Sequence, residues 1–308
     1  MTTVGTGKYK YRLITDWAKL PDGETFGTVS TVATDSQDRV YVFQRKDPPI
    51  LIFDRHGNYL SSWGNGAFAS PHGMSISDDI IYATDRNDSV CLKFTLEGRP
   101  LQMFGQRGVH SDTGCERPAT LVPRAAGPFN YPTEMVCSPS GDIFVSDGYR
   151  NSRVHRFSSE GLLIASWGEP GKTGPNQFHL PHSIFVDPDG QVYVCDRENC
   201  RIQIFTPEGR YVTIWNVGHR PEDIAVDPDG VLYVNTGGHP PQFRQSVNHE
   251  AEAPPQVIVL NSGGVELARW DHRLSTHGLW VDSRGDIYLA ISGIVEGGYP
   301  TVDKYVRQ

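Results

Sequence analysis

Residues 184–215 read IFVDPDGQVYVCDRENCRIQIFTPEGRYVTIW and contain four strand-like segments separated by short turns. The segments alternate β-branched or aromatic residues with small or polar ones, which is typical of half-buried strands. The turns contain Pro, Asp and Gly, because proline presets φ and glycine accepts a positive φ. This segment therefore predicts one four-stranded unit.

The same pattern recurs five more times along the chain. The other copies lie at 32–63, 74–104, 135–167, 224–270 and 279–306. A period of about 40–50 residues is typical of propellers and solenoids. The last copy lacks a fourth strand, while residues 8–17 have strand character outside any repeat. We predict that this N-terminal segment completes the last blade and so removes the exposed edges of an open array. The expected fold is all-β, a six-bladed β-propeller in a single domain over residues 1–308.

Two insertions interrupt the repeats, at residues 105–131 between the second and third copies and at 237–255 inside the fifth. Long loops in compact domains are usually functional or disordered. The first insertion joins blades on the face where the inner strands begin. Its position would let it form a lid over the channel mouth.

Composition and charge narrow the class of protein. The net charge of −8 is spread along the chain without a basic block, so we expect no nucleic-acid partner. Apolar runs are far too short to cross a membrane, and the N-terminus lacks the apolar core of a signal peptide. The five cysteines are odd in number and form no CxxC pair. Although Cys195 and Cys200 could approach each other, a reduced cytoplasmic protein is the simpler account.

Histidine occupies one position of the repeat in alternate copies. We call this the ring position, and its six residues are Ser30, His72, Thr133, His182, Glu222 and His277. In a closed ring of six blades, alternate blades lie about 120° apart, so the three imidazoles would meet at the channel axis. Three histidines with an open fourth place are typical of catalytic zinc, although Fe²⁺, Mn²⁺ or Co²⁺ could bind the same nitrogens. The alternative is that polar residues simply line a wet channel.

Glu222 shares the ring position. It could serve as a fourth metal ligand, as a base, or as an acceptor for a ligand histidine. The alternative is that Glu222 has no functional role and is a solvated carboxylate at the channel rim.

Other polar residues follow the second strand of each repeat. The recurring Asp85, Asp147 and Asp196 favour a structural role, because aspartate at a strand end caps turn amides. Tyr149, Arg45 and Arg197 are candidate functional residues. Arg86 occupies a similar position in its repeat, but nothing in the sequence marks it as functional. An arginine can bind a substrate carboxylate with two hydrogen bonds, and a tyrosine near a dication can act as a base.

The segment at residues 132–205 resembles the lyase domain of peptidylglycine α-amidating monooxygenase, a six-bladed propeller of NHL repeats. The specific combination is SDGYRNSR (146–153), FHLPHS (178–183) and DREN (196–199). SPHGMSI (70–76) and VFQRKD (42–47) resemble that family more loosely, and the fifth repeat diverges. The resemblance covers essentially the whole chain in architecture and about a quarter of it in strong motif.

The resemblance implies site residues one by one. The family's zinc ligands match His72, His182 and His277, and its catalytic tyrosine matches Tyr149. Its two arginines match Arg197 and Arg45. Gly278 stands where the family's calcium-binding aspartate is expected, which argues against calcium. Arg150 replaces a disulfide cysteine, so secretion is not implied. Glu222 has no counterpart.

The resemblance also implies a reaction, the cleavage of an N-glyoxylate carbinolamide to an amide and glyoxylate. Tyr149 or a metal-bound hydroxide would be the base, while Arg197 and Arg45 would hold a carboxylate. For a cytoplasmic enzyme we expect a smaller α-hydroxy amide or ureido acid. Two alternatives stay open: a metal-dependent hydrolase or hydratase of a small carbonyl compound with Glu222 as base, and a non-catalytic NHL scaffold for protein or RNA. The substrate, the metal beyond a zinc preference and the oligomeric state are not predicted.

Overall fold

The computed structural model describes residues 2–237, 254–273, 276–293 and 299–308. Almost all regular structure in these residues is β-strand, and each of the six repeats forms one antiparallel sheet. The fold is the predicted six-bladed β-propeller. The insertion at 105–131 lies within the described residues, whereas most of the second insertion, residues 238–253, lies outside them.

The strands follow one another in chain order. Two precede the first repeat, β1 (Thr3–Thr6) and β2 (Tyr9–Ile14). Blade one contains β3 (Val29–Thr34), β4 (Val40–Gln44), β5 (Ile50–Phe53) and β6 (Tyr59–Trp63). Blade two contains β7 (Pro71–Ser77), β8 (Ile80–Asp85), β9 (Val90–Thr95) and β10 (Pro100–Phe104). Blade three contains β11 (Pro132–Cys137), β12 (Ile143–Asp147), β13 (Arg153–Phe157) and β14 (Leu163–Trp167).

The remaining strands begin with a short parallel pair, β15 (Glu169–Pro170) and β16 (Gln177–Phe178). Blade four contains β17 (Pro181–Val186), β18 (Val192–Asp196), β19 (Arg201–Phe205) and β20 (Tyr211–Asn216), with a 3₁₀ turn at Arg197–Asn199. Blade five contains β21 (Arg220–Val226), β22 (Leu232–Gly237), β23 (Gln256–Leu260) and β24 (Glu266–Asp271). Blade six contains β25 (Thr276–Val281), β26 (Ile287–Ile291) and β27 (Thr301–Arg307).

The chain groups into two compact units. The first is formed by the described residues of 1–71, 222–239 and 252–308, and the second by residues 72–221. In the first unit, one apolar cluster joins blades five and six and another joins blades six and one. In the second unit, corresponding clusters join blades three and four, and blades two and three. Inter-blade packing therefore supplies the core of each unit.

The N-terminal strand completes blade six, as predicted. Strand β2 pairs antiparallel with β27, with Tyr11 opposite Arg307 and Ile14 opposite Lys304. Strand β1 then adds a fifth strand to the same sheet, which the sequence did not reveal. Tyr11 is fully buried, and its hydroxyl group lies 2.8 Å from that of Tyr233. This closure gives the last blade its missing strand.

The DPDG-type turns are held by a repeated side-chain contact. The tyrosine six positions after the turn aspartate donates a hydrogen bond to that carboxylate, and the four pairs are Tyr41 to Asp35, Tyr193 to Asp187, Tyr233 to Asp227 and Tyr288 to Asp282. The other carboxylate oxygen of each aspartate accepts from backbone amides of its own turn. Each pair thus ties the first turn of a blade to its second strand, which explains the motif in physical terms.

None of the described segments forms an apolar helix of membrane-spanning length. All five cysteines are free thiols, and Cys137 is less buried than the others.

Candidate metal centre

The ring-position residues all lie near the start of the first strand of their blade. Each is the second residue of β3, β7, β11, β17 or β25, or the third residue of β21. In blades one, three, four and six the pairing with the second strand shifts register at this point. Such a shift of register, as occurs at a β-bulge, redirects a side chain out of the regular alternation. The sequence alignment of the six copies therefore identified equivalent structural positions.

His72 and His277 are anchored in the same way. In each, Nδ1 lies 2.7 Å from a backbone carbonyl oxygen, that of Thr133 for His72 and that of Ser30 for His277. Because a carbonyl group only accepts hydrogen bonds, Nδ1 must carry the proton. The neutral ring then presents the lone pair of Nε2, which is the tautomer that binds metals.

Glycine follows both of these histidines because the backbone of another blade lies close by. A Cβ atom on Gly73 would lie 2.3 Å from the carbonyl oxygen of Thr133, and one on Gly278 would lie 2.5 Å from Oγ1 of Thr31. A side chain at position 278 would therefore need a displacement of its neighbour. This packing gives a physical reason for the absence of the aspartate expected there by resemblance.

The Gly73→Ala variant is expected to be less stable by about 1–3 kcal/mol, as is usual when a tightly packed site is overfilled. The added methyl group would press on the carbonyl group that anchors His72. The midpoint of urea unfolding measures the loss. Gly127→Ala is the matched control, because its Cβ would meet nothing within 4 Å. Equal midpoints for the two variants would contradict the close approach.

Tyr149 lies beside two of the histidines. Its hydroxyl oxygen is 3.2 Å from Nε2 of His182, and its ring centroid is 5.0 Å from that of His72. The rings of His72 and His182 are also 5.0 Å apart. Nη1 of Arg197 donates a hydrogen bond of 3.4 Å to the same hydroxyl oxygen. Within the second unit, the structure thus brings together four side chains that the sequence singled out.

Arg197 is held in place by a buried ionic cluster that the sequence analysis missed. Its Nε donates to Oε1 of Glu198 at 2.9 Å, and Nη2 of Arg220 donates to the same oxygen at 2.6 Å. Burial raises the pKa of Glu198, but the charges of Arg197 and Arg220 outweigh it and bring that pKa down to about 2. Glu198 is therefore ionised at neutral pH. The acidic residue directly after the arginine in DREN was the available signal.

Arg45 and Glu222 occupy the first unit. Nε of Arg45 donates hydrogen bonds of 3.0 Å to Oγ of Ser30 and to the carbonyl oxygen of Pro71, so it lies next to a ring-position residue. Glu222 is buried, with Oε1 of its carboxylate only 2.4 Å from where a Cβ on Gly237 would stand. It is thus not a solvated rim carboxylate.

The three recurring aspartates have structural contacts. Asp147 accepts from the backbone amide of Asn130 and from Nδ2 of Asn151, and Asp196 accepts from the backbone amide of His179. Asp85 accepts from the backbone amide of Asp88 in its own turn and from Nη1 of Arg107 in the insertion. All three are fully buried. These contacts agree with the favoured interpretation as turn caps.

His179 lowers stability in acid. It is 4% exposed, and among the described residues neither ring nitrogen has a hydrogen-bond partner. Burial lowers its pKa from 6.5 to about 4, so the unfolded chain takes up this proton first. The contribution of His179 to the free energy of unfolding is fully present above pH 6.5 and is lost as the pH falls toward 4, by at most about 3 kcal/mol.

His179→Leu should show a smaller loss of unfolding free energy over this range than the parent chain, while the exposed His56→Leu should not. Equal slopes for all three proteins would exclude the effect.

Sequence comparisons identify relatives of this chain. Residues 178–205 match the NHL repeat family, and residues 213–237 match the family described as strictosidine synthase-like, N-terminal. Human NHL repeat-containing protein 3 is 33% identical over 225 residues, which cover 68% of this chain and 61% of that protein. Peptidyl-alpha-hydroxyglycine alpha-amidating lyase 1 of Drosophila melanogaster is 30% identical over 161 residues, which cover 48% of this chain and 27% of that protein.

Comparison of structures shows the fold. A streptogramin B lyase structure superposes with a TM-score of 0.62 over 97% of this chain and 98% of the other, at 12% identity. The chain spans about three fifths of the length of the human relative and about a quarter of the Drosophila one. The chain is thus a six-bladed β-propeller with an NHL repeat at residues 178–205, and its sequence is similar to NHL repeat-containing protein 3 and to the peptidyl-α-hydroxyglycine α-amidating lyases.

Proposed function

We propose that this chain is a metal-dependent lyase that cleaves the C–N bond of a small α-hydroxy amide or ureido-type carbinolamide. The observation that carries the proposal is the placement of the Tyr149 hydroxyl between Nε2 of His182 and the guanidinium of Arg197. A proton-transferring group thus lies between a candidate metal ligand and a group that can neutralise a carboxylate. Homology to amidating lyases supports the same reaction class.

The proposed metal ligands are His72, His182 and His277. Within the second unit, one ligand atom of His72 and one of His182 lie within 4.8 Å of each other. The anchored Nδ1 atoms of His72 and His277 leave Nε2 in the ligating form. Three neutral imidazoles suit zinc best, although Fe²⁺, Mn²⁺ or Co²⁺ accept the same donors. When bound, such an ion would act as a Lewis acid on an oxygen of the substrate.

Side chains of the protein would bind the substrate and transfer its hydroxyl proton. Arg197 and Arg45 would pair with the carboxylate of the substrate, and the buried pair of Glu198 with Arg220 would keep Arg197 oriented. Tyr149, in its deprotonated form, would accept the hydroxyl proton of the carbinol. The carbonyl C=O then forms as the C–N bond breaks, and the same proton passes to the departing amide nitrogen. Atoms and charge balance, because the products are an amide and glyoxylate.

The Tyr149→Phe variant is expected to lower kcat by about 100- to 10,000-fold, the usual contribution of a general base. The substitution removes the hydroxyl group and keeps the ring that packs against His72. Steady-state kinetics and metal content together make the measurement, since metal binding should stay near that of the parent protein. A variant with unchanged kcat would exclude Tyr149 as the base.

The experiment that tests the reaction is an assay of glyoxylate release from N-acyl-α-hydroxyglycines. The zinc-loaded protein should release glyoxylate, and protein treated with a chelator should not. Esters, lactones and simple amides form the second arm of the assay. Hydrolysis of these without glyoxylate release would favour a hydrolase or hydratase, for which the buried Glu222 is the candidate base. No turnover and no metal binding would favour a binding scaffold, in line with the similarity to NHL repeat-containing protein 3.

The proposed enzyme would act in the cytoplasm on a small molecule. A cytoplasmic location fits the five free cysteines, and a small-molecule substrate with a carboxylate or carbonyl group fits the guanidinium of Arg197 beside Tyr149. The net charge of −8 makes nucleic acid an unfavourable partner.

A further inference from the structure

We propose that Arg86 and Arg150 form a second anion-binding subsite next to Tyr149, and that the substrate carries a second carboxylate at the end away from the cleaved bond. The identity of the substrate rests on the proposed lyase function. The subsite itself can be tested by binding alone.

Two aromatic rings organise this subsite in the second unit. The guanidinium of Arg86 lies over the rings of Tyr149 and Tyr131, at 5.1 Å and 5.9 Å from their centroids. The guanidinium of Arg150 lies 5.1 Å from the centroid of Tyr131. Tyr131 is thus shared by two cations, and Arg86 connects it to the candidate active site.

The insertion at 105–131 supplies the framework. The backbone amides of Tyr149 and Arg150 donate to the carbonyl oxygens of Tyr131 and Asn130, each at 3.3 Å. Oγ1 of Thr113 donates to the carbonyl oxygen of Arg150 at 2.6 Å. The insertion therefore packs against the segment that carries Tyr149, and it fixes the aromatic platform of the subsite.

Neither guanidinium pairs with an acidic residue in the part of the chain that the structure describes. Among the residues that the structure describes, the hydrogen bonds of these guanidiniums go to Oδ1 of Asn87 and to the carbonyl oxygen of Cys115, and neither acceptor is charged. The nearby carboxylates are occupied elsewhere. Arg107 pairs with Asp88 at 2.7 Å, and Asp147 accepts from Asn130 and other neighbours. No carboxylate of the described residues therefore neutralises the positive charge of these two guanidiniums.

A carboxylate is the chemistry that fits such a pair. Stacking on tyrosine uses the flat face of a guanidinium and leaves its N–H edge free for a planar anion. Both side chains are partly exposed, so a ligand can reach them without unfolding. The guanidiniums of Arg197 and Arg86 lie over the same Tyr149 ring, 5.4 Å and 5.1 Å from its centroid, so a substrate held by Arg197 through one carboxylate could reach Arg86 with a second.

A matched pair of substrates tests the inference. N-benzoyl-α-hydroxyglycine carries one carboxylate, and N-(4-carboxybenzoyl)-α-hydroxyglycine carries two. We expect the parent protein to show a higher kcat/KM for the second compound, and Arg86→Gln or Arg150→Gln to lower the ratio of the two values by about 10-fold or more, as for a lost charge-assisted hydrogen bond. Arg86→Lys should restore part of the ratio. The exposed Arg99→Gln is the control and should leave the ratio unchanged.

A binding assay tests the anion-binding subsite independently of the proposed lyase reaction. The unreactive analogues hippurate and 4-carboxyhippurate lack the hydroxyl group, and isothermal titration measures their Kd without turnover. Tighter binding of 4-carboxyhippurate that is lost in Arg86→Gln and Arg150→Gln would support the subsite even if no glyoxylate is released. Equal affinities for the two analogues, or equal losses for both in the variants, would overturn it.

Discussion

The His182→Ala variant is expected to lose its bound zinc and to lower kcat/KM by more than about 100-fold, because even residues that only orient a metal ligand contribute about 10- to 100-fold. Nε2 of His182 contacts the hydroxyl group of Tyr149, so the substitution also removes the partner of the proposed base. Zinc per protein chain, measured by plasma mass spectrometry after dialysis, gives the first readout. Glyoxylate release gives the second.

The control for this variant is His56→Ala, which removes an exposed imidazole. It should keep both metal content and activity. Circular dichroism and the urea midpoint show whether His182→Ala remains folded. A folded variant with His72, His182 and His277 all replaced by alanine that still holds one zinc per chain would refute the proposed ligand set.

The Tyr11→Ala variant is expected to lower the free energy of unfolding by about 3–5 kcal/mol, the usual cost of truncating a large buried aromatic side chain. Tyr11 is fully buried and packs against Trp270, with 5.3 Å between the ring centroids. Its hydroxyl contact with Tyr233 would also be lost. Tyr11→Phe isolates that contact and should cost only about 1 kcal/mol.

Urea unfolding followed by tryptophan fluorescence measures both variants. Lys10→Ala, on the exposed side of the same strand, should change stability by less than about 0.5 kcal/mol. If Tyr11→Ala were as stable as Lys10→Ala, the N-terminal strand would not contribute to the stability of the sheet that it completes.

The repeat made the fold predictable from the sequence. Six copies of one strand pattern, with Asp and Gly in fixed turns, leave few ways to arrange the chain, and the missing fourth strand of blade six called for a segment like Tyr9–Ile14. The ring position was predictable for the same reason, since equivalent residues such as His72 and His277 must occupy equivalent strand positions.

The contacts outside the repeat could not be predicted. Glu198 with Arg220, and Arg86 with Tyr131, join residues from different blades or from an insertion that has no equivalent in other copies. Only the three-dimensional path of the chain brings them together. The position of Arg86 in the repeat therefore did not mark it as a functional residue, although its guanidinium lies over the Tyr149 ring.

The pairing of β2 with β27 has a consequence for biosynthesis. The partners Tyr11 and Arg307 are separated by almost the whole chain, so β2 leaves the ribosome long before its partner strand is translated. During that interval the nascent chain carries an unpaired strand, and such strands are prone to pair with other chains. Blade six can be completed only when translation of its last strand has ended, which makes its assembly a slow, non-local event and the point at which chaperones would matter most.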